Sequence, residues 1–216
     1  MTGEVLRLAD VESIQDLGTY VARARHVEAE GAVRLVATGE VLAAWVRVLP
    51  GQGLLGQGLV LGLRVMPLDG PHELDTTVPL AGIADRLARR AAEARVDTVL
   101  PVPPTTVAAQ WTALTPPRTG WEVVAEADPD LLVEVARQGI AAVAQGTPTG
   151  AGAAAVAALR SRIWGADLPG APGGTPAGVA FAAYSLGFVR PGEPAVVRRH
   201  GPWTRLSTTV GHVVAR

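Results

Sequence analysis

The sequence predicts an α+β protein: an N-terminal helix, a four-stranded antiparallel sheet and a covering helix, followed by a helical part that ends in a β-hairpin, in winged-helix-like order. Three observations carry this. Residues 32–48 and 59–80 are rich in Val, Leu and alternating patterns. The segments flanking them repeat apolar residues every three or four positions. After residue 194 the chain returns to β-rich sequence around a His-Gly-Pro turn.

In order along the chain, Asp10 or Ser13 is an N-cap for a helix over about 10–25, with Ile14, Leu17, Val21 and Ala24 on one face. Two strands near 32–37 and 41–48 flank Thr38-Gly39-Glu40, a hairpin signal because glycine accepts positive φ. A glycine loop, GQGLLGQG at 51–58, leads to a third strand at 59–66, and residues 73–80 supply a fourth. From Pro79 the period changes: Leu80, Ile83, Ala84, Leu87 and Ala91 form a helical stripe, with Asp85, Arg86, Arg89, Arg90 and Glu93 facing outward.

Residues 1–100 are therefore read as one α+β domain and 101–127 as a connector, rich in proline and bordered by Trp111 and Trp121, which suit packing anchors. The last part, 128–216, is read as three helices and a β-hairpin. Asp128-Pro129-Asp130 combines an aspartate cap, proline at N1 and an acid in the first turn, so it begins a helix over 129–145. Two more helices are expected at 151–164 and 177–187. The strands follow in PAVVRR, PWTRLSTT and GHVVAR.

Composition excludes more chemistry than any motif suggests. The chain has no lysine, asparagine or cysteine, so there is no side-chain Schiff base, no lysine-bearing phosphate loop, no thiol nucleophile and no disulfide. Arginine without lysine, beside abundant Ala, Gly, Pro and Val, is the usage a GC-rich genome produces. With 4% aromatic residues, Ala, Val and Leu must supply most of the packing, and a net charge of −1 gives no bulk attraction to nucleic acid or anionic lipid. The start, MTGEVLRLADVES, lacks the basic and apolar regions of a secretory signal, and no stretch is apolar enough to span a bilayer. A cytoplasmic location without membrane association is expected.

Gly51, Gly53 and Gly56 have dinucleotide-loop spacing, but strand-like LVLGLRV follows where a helix N-terminus would be needed, so the glycines read as a turn. His26, His72, His200 and His212 lack metal-pair spacing, so no metal or cofactor is expected. His200, Ser207 and His212, with Asp97 or Glu193, can be imagined as a hydrolytic set, yet LSTTVG is no nucleophile elbow. Glu122, Glu126, Asp128, Asp130 and Glu134 form an acidic run that helix capping and a solvated face explain. The hairpin has the opposite sign: Arg190, Arg198, Arg199, Arg205 and Arg216 face a single acid, Glu193, and the favoured expectation is that they pair with the acidic 122–134 face of the same molecule or a neighbour rather than bind phosphate.

The stretches VRLVATGEVLAAWVRVL, VLGLRVMPL, DTTVPLAGIADRLAR, TPPRTGWEVV, GVAFAAYSLGF and GPWTRLSTTVGHVVAR resemble an uncharacterised actinobacterial family of about this length. The resemblance implies a bacterial source and a two-part organisation, and it transfers no catalytic residue. The expected function is a non-enzymatic interaction or regulatory protein, engaging a protein partner or a second copy. Its binding residues are Arg198, Arg199, His200, Trp203 and Arg205 of the hairpin and Trp111 and Trp121 of the connector. Two alternatives stand beside it. One is nucleic-acid binding through the helix-hairpin part, although AGVAFAAYSLGF offers no charge to a groove. The other is an enzyme or small-ligand binder with a pocket between the two parts.

Overall fold

A computed structural model describes residues 4–147, 150 and 152–216 as a mixture of helix and strand, so the α+β class holds. The chain divides into two compact units. The first comprises residues 1–48 and 63–113, and the second residues 49–62 and 114–216.

The first unit opens with β1 (Val5–Arg7) and α1 (Val11–Val27), and Asp10 accepts the Ser13 N–H at 2.6 Å, as its N-cap position requires. The four expected strands are two. β2 (Ala32–Leu49) runs through Thr38-Gly39-Glu40 without turning back, and β3 (Val60–Pro79) runs through Gly70. The physical reason is that a positive-φ glycine serves a bulge as well as a turn. Gly39 sits at φ +58° and its N–H reaches the Glu73 carboxylate at 3.2 Å across the pair. Buried residues accordingly fall at Val33, Leu35 and Ala37 before the bulge and at Leu42, Ala44, Val46 and Val48 after it. The extra residue switches the inward-facing parity.

α2 (Leu80–Ala92) follows and packs against α1. β4 (Val99–Pro101) then returns to pair antiparallel with β1, a two-stranded sheet the sequence did not announce. The unit's core holds Leu6, Leu17, Tyr20, Leu35, Leu42, Leu80 and Ile83. A short 3-10 turn, 110–113, buries Trp111 in this same unit. Arginines clamp the elements: Arg34 forks onto Asp75 at 2.8 and 2.7 Å and donates to the Thr112 carbonyl at 3.0 Å, Arg47 meets Glu28, and Arg64 meets Asp16.

The second unit begins its sheet with β5 (Glu122–Ala127), a strand within the segment read as connector. Three helices follow: α3 (Pro129–Gln145), capped by Asp128 with proline at N1; α4 (Ala153–Gly165); and α5 (Gly178–Ser185). The expected helix at 151–164 has its first residue outside the described residues. β6 (Ala195–His200), β7 (Trp203–Ser207) and β8 (His212–Ala215) complete an antiparallel ladder in the order β5-β6-β7-β8. Beyond β8 the ladder passes to the start of β3: Gly58 N–H donates to the Arg216 carbonyl at 2.7 Å, and Arg216 N–H to the Leu59 carbonyl at 3.0 Å.

The winged-helix order is therefore corrected. The C-terminal strands belong to a larger sheet that β5 opens before the helices, and α5 is buried, with Val179, Ala180, Ala182 and Ala183 at 0% exposure. Small residues let the helices approach closely, and at Gly139 of α3 the missing side chain is the space that the Trp164 ring occupies while stacking on Phe181 at 4.4 Å. Among the described residues no helix is long and apolar enough to cross a membrane.

Candidate binding face of the C-terminal sheet

Pairing across β6 and β7 decides which hairpin side chains share a face. Arg198 stands opposite Arg205 and His200 opposite Trp203, and β8 places His212 opposite Ser207 and Val214 opposite Arg205. With side chains alternating along each strand, one face carries Val196, Arg198 and His200, then Trp203, Arg205 and Ser207, then His212 and Val214. The other carries Ala195, Val197, Leu206, Val213 and Ala215, which are buried, and β8 packs there on α5.

Arg199 lies on that second face. It donates to the Pro172 carbonyl at 3.0 Å, to the Gly173 carbonyl and to Thr175 Oγ1 at 3.3 Å, so its donors tie down the 172–175 loop. β5 brings Glu122 opposite Arg199 and Val123 opposite Arg198, yet among the described residues no carboxylate comes within 4 Å of either guanidinium. The acidic 122–134 run and the basic hairpin are joined by backbone, not by ion pairs.

Arg198 and Arg205 are therefore two like charges in direct cross-strand register, an arrangement that costs roughly 0.2–1 kcal/mol when nothing neutralises it. Burial lowers the Arg205 guanidinium from its ordinary value, and the Arg198 charge adds to the effect. Its compensation is aromatic: the guanidinium lies 4.6 Å over the Trp121 ring, while its Nε has no acceptor.

Trp121 is fixed in turn by an Nε1 bond to the Pro117 carbonyl at 2.9 Å and an edge contact with the His200 ring at 6.0 Å. His200 Nδ1 lies 3.0 Å from the Gly120 carbonyl. A Cβ on Gly120, whose φ is +77°, would stand 2.8 Å from the His200 ring, so glycine is what permits this approach. Trp203 is buried beneath Arg216, whose guanidinium lies 5.3 Å over its ring.

The structure thus gathers Arg198, His200, Trp203, Arg205 and Trp121 into one patch of the second unit. Trp111 is a core residue of the first unit and Arg199 belongs to the opposite face. Ser207 is buried with an unpartnered hydroxyl, so the imagined pairing of a serine nucleophile with a histidine base is not made. Among the described residues no group of His, Asp or Glu is placed to hold a metal ion. Sequence reasoning passed over Val123, which is 63% exposed on the outermost strand beside Arg198; the signal was the apolar pair inside the acidic run.

Fold and patch define the class: a two-unit α+β protein whose second unit displays arginines backed by tryptophan on a sheet face. The chain belongs to the family described as Domain of unknown function (DUF8010), whose model matches residues 1–111. Residues 116–216 match a second such model, Domain of unknown function (DUF8185). No curated protein matches the chain.

Proposed function

We propose that this is a non-enzymatic, cytoplasmic interaction protein of actinobacterial origin that engages an acidic segment of a protein partner through the Arg198, Arg205 and Trp121 patch. The observation that carries the reading is the Arg198–Arg205 register pair, set side by side without a carboxylate, with the Trp121 ring against the Arg205 guanidinium. A bound carboxylate pair relieves their repulsion and forms charge-assisted hydrogen bonds. Exposed Val123 next to Arg198 adds the apolar contact that protein interfaces combine with arginine and aromatic anchors. A nucleic-acid surface fits less well, because the net charge is −1 and the uncharged α5 is buried.

The test is fluorescence anisotropy with a labelled glutamate- and valine-containing peptide and, separately, a labelled DNA duplex. The expected result is peptide binding that weakens at least roughly tenfold in the Arg198→Ala, Arg205→Ala double variant. Tighter, arginine-dependent binding of the duplex, or peptide binding that the double variant retains, would overturn the reading.

A further inference from the structure

A second concentration of arginine lies in the first unit, on α2. Arg86, Arg89 and Arg90 are spaced three and four residues apart, which places them on one side of the helix where like charges disfavour each other. Together with Asp85, Glu93, Arg95 and Pro101 they line a cleft of about 400 Å³. That volume lies within the range of small-molecule sites, roughly 300–1,000 Å³.

The cleft has a fixed floor and free donors. Arg90, expected to face outward, is instead buried, 6% exposed, because the returning chain holds it through the Asp97 carboxylate at 2.7 Å, the Val99 carbonyl at 2.6 Å and the Asp97 carbonyl. Asp97 also accepts from Arg95 at 2.8 Å and from Val99 N–H at 2.9 Å. Those bonds hold its carboxyl well below the usual carboxylate range, so it stays charged and committed to Arg90 and Arg95. Arg86 and Arg89 are different. Arg86 gives one nitrogen to the Gly82 carbonyl at 2.9 Å, and among the described residues no carboxylate lies within 4 Å of either guanidinium. Helical spacing would allow Asp85 and Glu93 to bridge Arg89, but neither does.

The last-turn carbonyls of α2 do not compete for these arginines. Glu93 N–H donates to the Arg89 carbonyl, Ala94 N–H to the Ala91 carbonyl and Arg95 N–H to the Arg90 carbonyl. Two guanidiniums with unspent donors beside the buried Arg90 suit the tetrahedral oxygens of a phosphate, and the exposed carboxylates of Asp85 and of Glu93, which lies 4.0 Å from Arg95, suit hydroxyl donors beside it.

We infer that the α2 cleft is a binding site for a small phosphorylated polyol, a sugar phosphate, whose phosphate is taken by Arg86 and Arg89 and whose hydroxyls face Asp85 and Glu93. This site is independent of the sheet patch and rests on none of its residues.

The test uses the full chain, isotopically labelled, with ribose 5-phosphate as the probe and ribose, sodium sulfate and a single-stranded DNA oligonucleotide as comparisons. Ribose 5-phosphate should shift the amides of residues 82–101 saturably, and ribose should not. Arg86→Gln and Arg89→Gln alter side chains outside the core, and each should weaken binding at least roughly tenfold while leaving the remaining spectrum in place. The inference falls if no saturable shift occurs, if the variants bind as tightly, if sulfate gives the same shifts, or if the oligonucleotide moves those amides more strongly than the sugar phosphate.

Discussion

Arginine is put to opposite uses in the two units. In the first, Arg34, Arg47, Arg64 and Arg90 each meet a carboxylate from another part of the chain, so the residue works as a clamp between elements. In the second, apart from Arg190 at 4.0 Å from Glu193, Arg198 stands opposite Arg205, Arg205 meets Trp121, Arg216 meets Trp203 and Arg199 meets loop carbonyls. In a chain whose cations are nearly all one residue type, the partner of each arginine marks its role. Counting arginines says nothing, and asking what each one touches separates architecture from recognition. The α2 cleft sharpens the same distinction inside the first unit, since Arg90 is spent on Asp97 while Arg86 and Arg89 are not.

The largest expected effect comes from separating residues 49–62 from the rest of the second unit, to which they belong. A fragment of residues 116–216 lacks Leu49, Leu59, Val60 and Leu61, all 5% exposed or less. Burying such side chains is worth roughly 1.5–3 kcal/mol each, and together that is on the order of a domain's whole stability. The fragment should therefore show no cooperative thermal transition by near-ultraviolet circular dichroism. A native-like melt would mean that residues 49–62 are no part of this unit.

A smaller effect tests the two uses of arginine directly, through Arg34→Met and Arg205→Met, which keep the aliphatic stem. Loss of the Arg34 fork should cost about 1–2 kcal/mol, a charged hydrogen-bond value discounted for the exposure of Asp75. For Arg205 the lost cation–π contact, about 0.5–1 kcal/mol, is offset by relief of repulsion from Arg198, so the net change should stay within about 0.5 kcal/mol. Denaturant midpoints at unchanged slope measure both. Equal losses would make Arg205 a clamp like Arg34 and collapse the distinction.

The smallest effect concerns the end of α2. Ala94 is the one described non-glycine residue at positive φ, +47°, in a position that helix ends usually give to glycine. Relief of its left-handed strain, about 1–2 kcal/mol, outweighs the added freedom of the unfolded glycine chain, about 0.4–1 kcal/mol. Ala94→Gly should thus raise stability by roughly 0.5–1 kcal/mol in the same denaturant assay. Loss of stability instead would show that the α2 end is held by something other than its cap.

Legibility in the sequence followed the range of the interactions. Asp10 and Asp128-Pro129 carry their instruction within four residues, and α1 and α3 begin where those residues say. The hairpin about Gly201-Pro202 was also local, and a two-residue turn already sets Arg198 opposite Arg205. Gly39 was misread because its left-handed backbone is common to turns and bulges, and only the partner strand distinguishes them. β5 was missed because Glu122–Ala127 exposes most of its side chains and owes its strand form to β6, some seventy positions further on. The α2 cleft needed the return of Asp97 beneath Arg90, which no periodicity reveals.

The bulge at Gly39 has a consequence for how β2 tolerates changes of length. Its two halves are out of step by one residue, odd positions inward before the bulge and even positions after it. Removing the one extra residue would leave an unbulged strand in which both halves still face inward, whereas removing two would turn one half inside out unless β3 bulged in its place. At this point in the chain, tolerance is governed by parity rather than by size.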